Sequence, residues 1–137
     1  MKTELRIDNT AQCVGCRQCE LACSVLHEDA FAPWLSRIVV HRDESILLAQ
    51  PTICQQCNQA RCQSACPTHA ITPNENGVLV VDLELCNGCG KCVIACPFHA
   101  MGMNHAQNRA YKCDLCGGDP ECVKVCPAHV LLWVEVP

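Results

Sequence analysis

Apolar residues along this chain come in short bursts rather than long runs. SRIVVH (36–41) and SILLAQ (45–50) predict two strands separated by the polar turn RDE. In AITPNENGVLVVDLEL (70–85), NENG marks a turn and VLVVD a strand, which predicts a hairpin. MGMNHAQNRAYK (101–112) predicts a second short hairpin. The most apolar stretch, VLLWVEV (130–136), is brief and interrupted by Glu135, far from the roughly 20 apolar residues of a membrane span. Phe31 and Trp34 fall in a proline-containing loop, AFAPWL. Aromatic residues are enriched at interface hot spots, so this loop is a candidate docking segment; covering a buried cofactor is the plainer alternative.

Composition changes this picture. Half of the 137 residues are nominally hydrophobic, but that half includes 16 cysteines, beside only two Phe, two Trp and one Tyr. Large core-filling side chains are scarce, so something besides ordinary packing has to hold the interior. So many cysteines imply a disulfide scaffold or a metal protein. MKTELRIDNTAQC carries neither an apolar run nor an Arg-Arg pair, so the expected compartment is the cytoplasm, where thiols stay reduced. Metal is then the stronger expectation.

Every cysteine falls into one of four quartets. They are Cys13, Cys16, Cys19, Cys23; Cys54, Cys57, Cys62, Cys66; Cys86, Cys89, Cys92, Cys96; and Cys113, Cys116, Cys122, Cys126. The first and third have the spacing C-x2-C-x2-C-x3-C, and Pro67, Pro97 and Pro127 directly follow the last cysteine of the second, third and fourth. The C-x2-C-x2-C-x3-C-P run is the bacterial signature of 4Fe-4S clusters. Three closely spaced thiolates can line a tight loop and reach three irons of one cubane. The fourth is carried away by a short helical turn, which a following proline ends by forcing the residue before it out of the helical region. In two-cluster ferredoxins that fourth thiolate ligates the other cluster. Zinc ribbons use two CxxC pairs and would leave half of these cysteines without a role. Complete quartets also favour 4Fe-4S over 3Fe-4S clusters.

The hairpin between the second and third quartets makes residues 54–96 look like one two-cluster module. Quartets one and four would then form another, although spacing alone also allows one to pair with two and three with four. CVGCRQCELAC, CNGCGKCVIACPF and YKCDLCGG...CVKVCP resemble the first, third and fourth quartets of the four-cluster ferredoxin-like electron-transfer subunits. These accompany molybdenum and tungsten oxidoreductases, hydrogenases and carbon monoxide dehydrogenase; the resemblance covers residues 11–130.

The resemblance implies an α+β fold of two bacterial-ferredoxin-like modules, one nested in the other, with short hairpins and helices around four cubanes. The inner module would span 50–103, the outer module 8–30 and 104–137, with a hairpin inserted at 31–49. The implied ligand sets are Cys13, Cys16, Cys19 and Cys126 for cluster 1; Cys113, Cys116, Cys122 and Cys23 for cluster 2. Cluster 3 takes Cys54, Cys57, Cys62 and Cys96, and cluster 4 takes Cys86, Cys89, Cys92 and Cys66. No catalytic residue is implied. Expected partners are a catalytic oxidoreductase subunit, with a tungsten or molybdenum enzyme favoured over hydrogenase or carbon monoxide dehydrogenase, and a second redox protein. Self-association and co-export with a signal-bearing partner stay open. A free polyferredoxin and a maturation factor are the competing readings.

Two further features bear on chemistry. The formal charge of −4 would reach about −12 with sixteen thiolates and four doubly charged cluster cores, which disfavours nucleic acid as a partner. Lys91, Lys112, Lys124, Arg17 and Arg61 stand beside cysteines, as charges that raise cluster potentials or as ordinary solvated side chains. His69, His99 and His129 recur in CPTHA, CPFHA and CPAHV, where ferredoxin-like chains often carry glycine. Histidine is one of the few residues enriched in the left-handed region, so a turn role is expected ahead of a hydrogen bond to a cluster or ligation.

Overall fold

The computed structural model describes residues 2–8, 11–45 and 48–136, so Ile46 and Leu47 of the expected 45–50 strand lie outside the described residues. The fold is α+β, and the chain divides into two compact units: Met1–Thr52 with Leu115–Pro137, and Ile53–Asp114.

In the first unit, strand β1 (Lys2–Ile7) pairs antiparallel with the last strand, β8 (Leu131–Val136), placing Ile7 opposite Leu131. Neither strand was among the expectations above; the alternation of Glu4 and Arg6 with Leu5 and Ile7 is a weak period-two signal that a search for apolar runs passes over. Helix α1 (Gln18–Glu28) packs on α4 (Glu121–Val125) and on a 3-10 turn at Pro33–Leu35.

The expected hairpin forms between β2 (Val39–Asp43) and β3 (Leu48–Thr52), shifted toward the C-terminus. The reason is Asp43. Its carboxylate accepts the backbone N–H and hydroxyl of Ser45, so the turn starts after Asp43 and the strand runs to Asp43 itself. Glu20 of α1, buried against this hairpin, accepts the Val40 N–H at 3.0 Å and an ion pair from Arg17.

The second unit contains α2 (Arg61–Ala65), α3 (Lys91–Ala95) and the hairpins β4 (Ile71–Pro73) with β5 (Leu79–Val81) and β6 (Gly102–Asn104) with β7 (Arg109–Tyr111). NENG turns the first hairpin as expected: Asn74 Oδ1 accepts the N–H groups of Asn76 and Val78. The core joins Ile71, Cys92, Met101 and Ala110, with Cys62, Cys66, Cys86 and Cys96 packed against it. Ala110, on β7, and Met101, just before β6, tie the β6–β7 hairpin into this core. Cysteines complete an interior that aliphatic side chains only begin.

Candidate metal centres

Three quartets share one piece of local structure. In each, the third cysteine is the second residue of a short helix: Cys62 in α2, Cys92 in α3 and Cys122 in α4. The fourth cysteine is extended, with φ/ψ of −78/114° at Cys66, −70/115° at Cys96 and −72/109° at Cys126. That is the conformation a following proline demands. Two residues past each proline, His69, His99 and His129 adopt left-handed φ of 55°, 54° and 54°.

The turn aims the next backbone N–H at the fourth sulfur. Ala70 donates to Cys66 Sγ at 3.3 Å, Ala100 to Cys96 Sγ at 3.4 Å and Val130 to Cys126 Sγ at 3.4 Å. The histidines thus shape backbone donors, in line with the expected turn role.

The first quartet departs from this pattern because Ser24, not proline, follows Cys23. Helix α1 continues to Glu28, and Asp29 ends it at a left-handed φ of 54°. The Cys23 sulfur receives its backbone donor from Arg37, at 3.2 Å. His27, one turn beyond Cys23, donates from Nδ1 to the Cys23 carbonyl at 2.8 Å, with the same nitrogen 3.6 Å from Cys23 Sγ. A ring nitrogen of His27 also lies within 4.8 Å of Cys116 Sγ. His27 was not singled out from sequence; its i+4 spacing from Cys23 becomes a signal only if the helix is known to run on.

Three cavities gather twelve of the sixteen sulfurs; Cys23, Cys113, Cys116 and Cys122 line none of the three. Cys13, Cys16, Cys19 and Cys126 line one. Cys54, Cys57, Cys62 and Cys96 line the second, and Cys66, Cys86, Cys89 and Cys92 the third. Each joins three cysteines of one quartet to the fourth of another. None of the sixteen cysteines, all among the described residues, forms a disulfide. Four soft donors around one cavity, with N–H groups turned to the sulfurs, fit an iron-sulfur cluster.

Burial and hydrogen bonding act in opposite directions on five of these thiols. Burial pushes the Cys19 thiol up to about 12, with the neighbouring Glu20, Cys16 and Cys126 adding to it against a backbone hydrogen bond. Burial also raises Cys62 and Cys92; the charges of Cys54 and Cys96 add to the first, and those of Cys66, Cys86 and Cys89 to the second. At Cys23 burial pushes upward too, but hydrogen bonds from His27, the Arg37 N–H and Ser36 prevail and lower it. Cys66 is lowered in the same way, against burial, by Thr68 and the Ala70 N–H.

Gly88, in the third quartet's loop, has φ +77°, and a Cβ there would collide with the Asn108 carbonyl. The five basic residues divide. Arg17 pairs with Glu20, and Lys124 pairs with Asp119 and Glu121. Lys91 is exposed. Arg61 and Lys112 line the Cys54 cavity. Phe31 and Trp34 are 76 % and 73 % exposed.

A family model described as a 4Fe-4S dicluster domain matches residues 46–136, and a 4Fe-4S binding domain matches 10–26. The chain belongs to the 4Fe-4S dicluster family. Its cofactors are accordingly 4Fe-4S clusters. Among relatives of this dicluster protein, Electron transport protein HydN of Escherichia coli K12 is 34 % identical over 88 residues, covering 61 % of this chain and 50 % of the relative. The polyferredoxin-like subunit of aliphatic sulfonate oxidoreductase from Pyrococcus furiosus is 41 % identical over 80 residues, covering 58 % and 46 %. The matched stretch spans about half the length of these relatives. Among solved structures, the active site complex BamBC of benzoyl coenzyme A reductase, in complex with benzoyl-CoA, contains a chain with a TM-score of 0.55 and 25 % identity. That match covers 98 % of this chain and 81 % of the other. Among the described residues no helix is long and apolar enough to cross a membrane.

Proposed function

We propose that this chain is a non-catalytic electron-transfer subunit with four 4Fe-4S clusters in two nested modules. It relays electrons between a catalytic metalloenzyme subunit, a tungsten or molybdenum oxidoreductase by preference, and a second redox partner. The observation that carries the reading is the composition of the three cavities, each joining three cysteines of one quartet to the fourth of another. They correspond to clusters 4, 1 and 3, and the proximity of His27 to both Cys23 and Cys116 supports the same exchange for cluster 2. When bound, each cluster supplies a one-electron carrier. The cysteines hold the carrier, and the backbone N–H groups donate to its thiolates. Relatives named as electron-transport proteins and oxidoreductase subunits support the role. Cysteines committed to clusters rather than disulfides suit a reducing compartment, hence the cytoplasm. The exposed Phe31 and Trp34 suit contact with the catalytic partner.

Anaerobic affinity purification with metal analysis tests this. Four cubanes require about 16 iron and about 16 inorganic sulfide per chain. Half that iron, or zinc in its place, overturns the four-cluster reading. A catalytic oxidoreductase should copurify, whereas elution of the loaded chain alone would favour a free carrier.

A further inference from the structure

Lys112 is only 5 % exposed. Its ammonium donates to the Leu79 carbonyl at 2.6 Å and the Cys113 carbonyl at 3.2 Å, and both partners are neutral. Among the described residues no carboxylate forms an ion pair with it. Burying an ammonium without an opposite charge carries a penalty of several kcal/mol, and such lysines are rare unless paired. What neutralises this one must therefore be something the side chains alone do not supply. Lys112 lines the cavity of Cys54, Cys57, Cys62 and Cys96, four thiols that become thiolates on binding metal. Four thiolates on a doubly positive core leave a net charge of about −2 there, and reduction adds another negative charge.

The two cavities of this unit differ. The residues lining the other, from Cys66 and Thr68 through Gly90, Cys92 and Ala110, include no lysine, arginine or acid. The two cluster sites thus share similar sulfur donors but not similar charge surroundings. Arg61 adds a second cation to the Lys112 side, but it is exposed and screened by water. Lys112 is the buried member, where charge acts through a lower dielectric.

We propose that Lys112 is a fixed counter-charge for cluster 3 that makes it the more easily reduced of the two clusters in the Ile53–Asp114 unit. This rests on the four-cluster reading above. The ammonium favours the more negative, reduced state over the oxidised one, so the first electron to enter this unit from a low-potential donor rests at Cys54, Cys57, Cys62 and Cys96. Because its hydrogen bonds run to Leu79 and Cys113, Lys112 additionally anchors β5 to the start of the fourth quartet.

The test is a dithionite titration of the purified holoprotein followed by electron paramagnetic resonance. Iron content comes first: an unmodified chain far short of 16 iron overturns the four-cluster reading itself. With full loading, Lys112→Met should make reduction of one cluster about tenfold less favourable, equivalent to about 59 mV for a one-electron couple. Lys112→Arg, which keeps the charge, should leave that potential near its original value. An unshifted potential in loaded Lys112→Met, or equal shifts in the Met and Arg variants, overturns the proposal. A second measurement needs no change at Lys112. Cys57→Ser and Cys89→Ser each alter the signal of one inner cluster, and the signal altered by Cys57→Ser should develop at the higher potential. The reverse order would sink the proposal even if Lys112→Met fails to assemble.

Discussion

At His99 the backbone turns left-handed and sends the Ala100 N–H to the Cys96 sulfur, and the same turn recurs at His69 and His129. The imidazole is tolerated there; it is the dihedral that matters. His99→Gly should therefore leave iron content and cluster potentials unchanged, because glycine adopts this φ without strain. His99→Val, a β-branched residue forced left-handed, should cost about 1–2 kcal/mol. Denaturant-induced bleaching of cluster absorption measures the cost. A potential shifted by His99→Gly would instead show that the ring itself tunes a cluster. This turn was legible in sequence because proline and histidine repeat at fixed offsets from a cysteine. His27 was not. Its position against Cys23 depends on α1 continuing past the quartet, and the Cys23 donor, Arg37, arrives from 14 residues away through tertiary folding.

At the scale of elements, the absence of a proline turns one quartet's short helix into an eleven-residue helix that needs its own anchor. Glu20 supplies it, by accepting the Val40 N–H and so tying α1 to β2. Glu20→Gln retains an acceptor for that N–H, whereas Glu20→Leu leaves the buried donor unsatisfied. We expect the leucine variant to lose about 1–3 kcal/mol and the glutamine variant clearly less. Comparing the denaturant midpoints of cluster loss in the two holoproteins checks this; equal losses would show that the Val40 hydrogen bond contributes little. The hairpins were readable from turn residues and alternating apolar positions, but their registers were not. Asp43 moved one turn by capping Ser45, and the β1–β8 pair joins segments too far apart in sequence for a local pattern to match them.

At the scale of the whole molecule, the interior is too poor in large side chains to stand alone. The most fully buried residues include Ser24 and Ser36 beside Ile53 and Ile71, and the remaining core positions are largely alanine and cysteine. Removing iron leaves those thiols without bonds and returns the sulfur-lined cavities to water. The metal-free chain, kept reduced, should therefore lose most of its helical and strand circular dichroism, because the binding energy of the clusters is a large part of its folding energy. The pH dependence of the two forms should have opposite signs. A loaded cluster needs thiolates, so the holoprotein should lose iron as pH falls. In any residual metal-free fold, burial holds the Cys19 thiol near about 12 against an ordinary 9.0. Below the ordinary value both folded and unfolded chains keep the proton. Above it the unfolded chain releases a proton that the folded one retains, so stability declines as pH rises from about 9 toward about 12. Circular dichroism of both forms across pH, with iron assayed in parallel, tests the pair of trends. Native secondary structure persisting after complete iron removal would mean that hydrophobic packing, despite its sparse residues, carries the fold.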